Sequence, residues 1–162
     1  MQLRSQAYED AQDKHVTRFG YLSIDNEDAL DVATLVYSRE KALASSVKTL
    51  RVRLVYSETI LLKLRLLLRQ TKELEQLILD LTEISASWSR NLLKYLTFAN
   101  LDVFSTTMPH DGLLDFLIAN SSITNLTLGS CTLRDCPLAN IAATELTVGP
   151  CRSGTSQLNA SG

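Results

Sequence analysis

Apolar residues recur along this chain in a single spacing that appears five times. Ile123, Leu126, Leu128, Cys131 and Leu133 follow L-x-x-L-x-L-x-x-C-x-L, and Ala143, Leu146, Val148 and Cys151 follow it again twenty residues later. Leu93, Leu96, Phe98 and Leu101 repeat the spacing, Leu74, Leu77 and Leu79 repeat part of it, and Val47, Leu50, Val52 and Val55 match it loosely. Self-similarity at about 20 to 30 residues marks a stacked solenoid, in which each unit buries its apolar side against the next. Such a fold is mainly a surface for contacts.

Within the units the periods separate into strands and helices. Leu50, Val52 and Leu54 alternate with Arg51 and Arg53, which predicts a half-buried strand over Val47 to Val55. Ser57 stands as N-cap to residues 58 to 72, where Leu61, Leu64 and Leu68 share a face and Lys63, Arg65, Arg69 and Lys72 make the outer side basic. Further strands are expected at Leu77 to Leu81, at Tyr95 to Ala99, around Leu126 and Leu128, and around Leu146 and Val148. The order strand, helix, strand implies a parallel return with the helix covering one face. Trp88 falls in a connection, and Pro109 at a first-turn position with Asn120 near a C-terminus brackets a helix whose apolar side is Leu113, Leu114, Phe116 and Leu117. The connection holding Pro137, Leu138 and Ile141 has room for one or two helical turns.

Before these units, Leu30, Ala33, Val36, Tyr37 and Ala42 suit a helix from Asn26 onward, with a strand over Val32 to Tyr37 as the alternative. Residues 1 to 25 are polar and aperiodic and are expected to form a poorly ordered arm. The expected organisation is thus an N-terminal arm and possible helix over 1–46, repeats over 47–151 and a disordered tail over 152–162. The second leucine of each unit falls at 50, 77, 96, 126 and 146, in steps of 27, 19, 30 and 20, so curvature should vary along the stack.

Leucines two apart, such as Leu126 and Leu128, point inward, and the residues between them point out. The outward grid is Arg51 and Arg53, then Gln76, Ile78 and Asp80, then Tyr95, Thr97 and Ala99, then Asn125 and Thr127, then Glu145 and Thr147. In register, Thr97, Thr127 and Thr147 would form a ladder, although threonine suits an exposed sheet position whether or not anything binds there. Arg51, Arg53, Ile78 and Tyr95 are the stronger contact candidates, since arginine and aromatic residues are enriched at binding hot spots. Cys131 and Cys151 suit the turn beyond a strand as small hydrophobes with a weak donor.

Composition narrows the function classes. The 162 residues are 45% hydrophobic, which suits one domain. The net charge of −2 is uneven: basic against acidic residues number 5 to 8 over 1–46, 9 to 5 over 47–100 and 2 to 5 over 101–162. A basic middle can steer an acidic partner, yet no Lys/Arg run interleaved with aromatics points to nucleic acid. The N-terminus lacks the apolar run of a secretory signal, and Ile60 to Leu68, interrupted by Lys63 and Arg65, falls short of the roughly 20 apolar residues that span a bilayer. Three cysteines suit reduced thiols in the cytoplasm or nucleus, and the sequons at Asn120, Asn125 and Asn159 would matter only in the secretory pathway. Cys131, Cys136 and Cys151 lack the histidine partners of a zinc site, because His15 and His110 lie in other units. No phosphate-binding glycine motif is present, Glu73, Glu75, Asp111 and Asp115 read as helix-end and surface charges, and the expectation is a protein that is not an enzyme and carries no cofactor.

The passage L-L-D-F-L-I-A-N-S-S-I-T-N-L-T-L-G-S-C, residues 113 to 131, resembles the leucine-rich repeats of many fungal F-box proteins, in which a helix ends in a polar turn and an I-x-x-L-x-L strand follows. The resemblance extends from Val47 to Cys151. It implies an α/β leucine-rich-repeat solenoid with parallel strands on a concave face, helices or loops on the convex face, and a protein partner held by the strands. In that family the repeats read a substrate while a separate F-box docks a ubiquitin-ligase scaffold. The resemblance implies the substrate-recognition part of such an adaptor, and residues 1 to 46 depart from the family pattern by lacking the Leu-Pro opening and compact leucine-rich helices of an F-box. Solenoids need terminal caps, and Arg152 to Gly162 is too short and polar to make one. The favoured expectation is a fragment of a longer repeat protein, the alternative an assembly element that stacks on another subunit.

Overall fold

The computed structural model describes residues 20–109 and 112–129 with their side chains, and residues 145–148 as backbone. Among the described residues six strands lie side by side in chain order, every neighbouring pair parallel: β1 (Tyr21–Ile24), β2 (Thr49–Val55), β3 (Gln76–Thr82), β4 (Val103–Thr106), β5 (Asn125–Leu128) and β6 (Glu145–Val148). The crossovers carry α1 (Glu27–Arg39), α2 (Lys41–Ser46), α3 (Glu58–Gln70), α4 (Ala86–Leu93) and α5 (Leu113–Ala119). The protein is therefore α/β, built on an all-parallel open sheet.

Alternation dictates which face the helices take. Leu22 and Ile24, Leu50, Val52 and Leu54, Leu77, Leu79 and Leu81, Phe104, and Leu126 and Leu128 are all buried. They form one core with Leu30, Ala33 and Tyr37 of α1, Leu61, Leu64 and Leu68 of α3, Leu92 of α4 and Phe116 of α5. Each leucine so buried contributes about 1.5–3 kcal/mol. Thr106 takes an inward position in β4, and its Oγ1 accepts from the Met108 N–H at 3.1 Å, so a buried hydroxyl is satisfied while turning the chain.

The helix ends follow local chemistry. Asn26 caps α1 by accepting from the Ala29 N–H at 2.8 Å, and Ser57 caps α3 by accepting from the Ile60 N–H at 3.2 Å. α1 packs beside α3, and Lys63 of α3 reaches Asp31 and Glu27 of α1, the latter at 3.2 Å. The hydrogen bond to Asp31 is the main cause that holds the Lys63 ammonium above its usual pKa.

One backbone device repeats at the entries of β2, β3, β4 and β5. The Gly20 carbonyl accepts from both Lys48 and Thr49 N–H groups, Lys48 from Glu75 and Gln76, Glu75 from Asp102 and Val103, and Asp102 from Thr124 and Asn125, all between 2.7 and 3.1 Å. Equivalent positions thus recur in successive units irrespective of side chain.

Three expectations change. Residues 21–24 belong to the sheet as β1, not to a poorly ordered arm, because Leu22 and Ile24 add to the core and Tyr21 to Ile24 pair with Thr49 to Val52. The third strand is Val103–Thr106 instead of Tyr95 to Ala99. Tyr95 has φ 63, and the peptide groups that a ladder would use are taken by the buried Asn120. Its Oδ1 accepts from Phe98 N–H at 2.7 Å, and its Nδ2 donates to the carbonyls of Leu96 at 3.0 Å and Phe116 at 2.7 Å. Leu96, Phe98 and Leu101 still fill the core, but from a connection. Leu22, Leu50, Leu77, Phe104, Leu126 and Leu146 consequently stand abreast, and the units advance by 28, 27, 27, 22 and 20 residues instead of the irregular steps expected. Finally, α4 occupies the connection around Trp88, and α5 starts at Leu113 after Gly112, leaving Pro109 outside the helix. The segment with Pro137, Leu138 and Ile141, the three cysteines, both histidines and the tail lie outside the described residues.

Candidate functional site: the open face of the sheet

All-parallel sheets ordinarily have both faces covered. Here no described element covers the face opposite the helices, and its residues are partly or fully exposed in every strand from β1 to β5. Register aligns them in rows. One row runs Tyr21, Thr49, Gln76, Val103, Asn125 and Glu145; the next runs Ser23, Arg51, Ile78, Ser105, Thr127 and Thr147. Beyond these, Arg53 pairs with Asp80 and Val55 with Thr82.

The sheet thus brings Arg51, Arg53, Gln76, Ile78, Asp80, Asn125 and Thr127 to one face, with Glu145 and Thr147 at the corresponding register positions. Tyr95 and Thr97 are not on it. They lie in the connection between α4 and β4, lining clefts among the helices, because the ladder is made by residues 103–106. Ser105 therefore replaces Thr97 beside Thr127, and Thr127 stands opposite Thr147 as expected. Tyr21, Ser23, Thr49, Val103 and Ser105 were missed by sequence reasoning. The signal for the last two was the run Val103 to Thr106, with its β-branched and aromatic residues, 27 residues after Gln76 to Leu79.

Most charges on this face are compensated. Arg53 Nε lies 3.3 Å from Asp80 Oδ2, while Asp80 Oδ1 accepts from Thr107 Oγ1 at 3.1 Å. At the strand entries Lys48 pairs with Glu75 at 3.3 Å, and Asp102 accepts from Thr124. Arg51 differs: it is half-buried in the central row and has no hydrogen-bond or ion-pair partner among the described residues. Its guanidinium, with five donors in a fixed fork, stands between Ser23 and Ile78 and can grip a carboxylate or a backbone carbonyl. Around it the hydroxyls of Ser23, Ser105 and Thr127 and the side chains of Ile78 and Val103 supply hydrogen-bonding and apolar contact. Among the described residues of this face no acid/base pair faces a nucleophile.

Among the described residues no group of three or more His, Cys, Asp or Glu side chains is placed to hold a metal ion, and no helix is long and apolar enough to cross a membrane. No family model, curated protein or solved structure matches the chain.

Proposed function

We propose that the chain is a leucine-rich-repeat solenoid acting as a non-enzymatic protein-binding module, with the open sheet face as its concave recognition surface. The observation that carries this reading is an all-parallel sheet with one face that no described element covers and, at its centre, an arginine without a hydrogen-bond or ion-pair partner among the described residues. A partner segment would set an acidic or carbonyl group on Arg51 and apolar atoms over Ile78 and Val103. Substrate reading within a ubiquitin-ligase adaptor is one form of this role, and it rests on the resemblance of residues 113–131 alone.

The test compares proteins captured by the wild type, by Arg51→Glu combined with Ile78→Glu, and by Leu62→Lys on the exposed side of α3. A defined partner is expected to be lost from the sheet-face variant by about tenfold or more and kept by the helix variant. Identical capture by all three, with concentration-dependent self-association, would replace recognition with an assembly role.

A further inference from the structure

Tyr95, which the fold removes from the sheet, stands in an unusual setting on the helical side. Its φ of 63 lies in a region that few residues other than glycine enter. Its side chain is 77% exposed, while its neighbours Leu96 and Phe98 are buried and clamped by Asn120. The ring is thus held outward by a rigid connection. Lys94 Nζ sits 4.8 Å from its centroid, a cation–π contact that fixes the ring further.

Tyr95, Leu96 and Thr97 form the wall shared by two clefts. One, of about 630 Å³, opens between α4 and α5 over Leu93, Leu114 and Phe116, with Arg90 and Lys94 at its edge. The other, of about 250 Å³, opens toward the end of α3, with Arg69 and Lys72. Four basic side chains therefore line the two clefts that share Tyr95, and among the described residues Asp115 is the acidic one lining the larger cleft while none lines the smaller. Helix C-termini attract cations, which accounts for Arg69 and Arg90 in the last turns of α3 and α4. It does not account for Lys72, beyond the end of α3, or for a bulky aromatic kept exposed at a strained backbone position. Strain of this kind persists where surrounding structure enforces it and gathers at ligand-binding positions.

We infer that this double cleft is a second docking surface, separate from the sheet face, for an acidic peptide segment carrying an apolar anchor residue. The anchor enters the larger cleft over Leu93 and Phe116. Its flanking carboxylates meet Lys94 and Arg90 on one side of Tyr95, and Arg69 and Lys72 on the other. Charge complementarity selects the partner: the cleft walls are basic and their floor is apolar.

The probe is an acetylated peptide of repeated Glu-Glu-Leu, with a Gln-Gln-Leu peptide as control, titrated into the full chain and followed by amide NMR. Shifts are expected at 94–97 and 112–119, with binding weakened about tenfold by the glutamine control and by Lys72→Gln with Lys94→Gln. Tyr95→Gly is the decisive variant, because glycine adopts φ 63 without a steric penalty. It should weaken peptide binding while thermal stability holds or rises. The inference is overturned if millimolar peptide causes no shifts, if the glutamine peptide binds equally, if the shifts fall on Ser23, Arg51 and Ser105, or if Tyr95→Gly binds as well as the wild type.

Discussion

Replacing Asn120 by alanine should destabilise the protein more than most core truncations of similar size. The side chain is 1% exposed and makes three hydrogen bonds. Its loss strands the buried Phe98 N–H, which costs about 1–3 kcal/mol, and removes a donor from the Leu96 carbonyl, about 1 kcal/mol more. Phe116 O loses little, because it still accepts from the Asn120 backbone N–H at 3.0 Å. With the small void left behind, the expected total is about 3–4 kcal/mol, against a typical domain stability of about 5–15 kcal/mol. Urea unfolding followed by Trp88 fluorescence measures it, and hydrogen exchange at Phe98 shows whether the loss is local. Asn120→Asp sharpens the test. A carboxylate there still accepts from Phe98 but faces the carbonyls of Leu96 and Phe116, so its folded pKa should stand above the ordinary value of about 4. That variant's stability should be fullest in acid and fall as pH rises through the raised pKa. A cost for Asn120→Ala under about 1 kcal/mol, with Phe98 exchange unchanged, would refute the claim that this side chain holds residues 96–98 off the sheet.

Two further outcomes concern single side chains. The Tyr37 hydroxyl is buried without a partner among the described residues, and burial pushes its pKa up to about 12. The unfolded chain ionises first, so stability should fall between pH about 10 and about 12; Tyr37→Phe should remove that slope and raise the melting temperature, and an unaltered alkaline profile would count against this burial. Ser57→Ala should cost about 1 kcal/mol by freeing the Ile60 N–H at the start of α3, whereas exposed Thr59→Ala should stay within about 0.5 kcal/mol in the same denaturation assay.

The strands at β2, β3 and β5 could be read from local pattern because leucine or valine recurs at every second position with mostly polar residues between, and α3 was announced by Ser57 together with the shared face of Leu61, Leu64 and Leu68. The third strand could not. Leu96 and Phe98 are spaced as a strand would space them, and both are buried, yet burial two residues apart is equally met by a connection that dips into the core. Val103 to Thr106 carries phenylalanine and threonine at the inward positions where neighbouring strands carry leucine, so its kinship with Gln76 to Leu79 was hard to see. Four residues likewise gave β1 too little pattern to stand out from the polar segment around it.

Residue order alone sufficed for the parallel α/β architecture, the Ser57-capped α3 and Arg51 on an outward strand position, since these follow from periodicity and capping within a few residues. Which apolar segment joined the sheet depended on contacts across longer separations. Asn120 satisfies backbone groups 22 and 24 residues earlier, and a satisfied buried polar group outweighs a favourable spacing. That choice carried Tyr95 from the sheet to the helical clefts and set Ser105 beside Thr127, so the composition of both surfaces was settled by long-range hydrogen bonding.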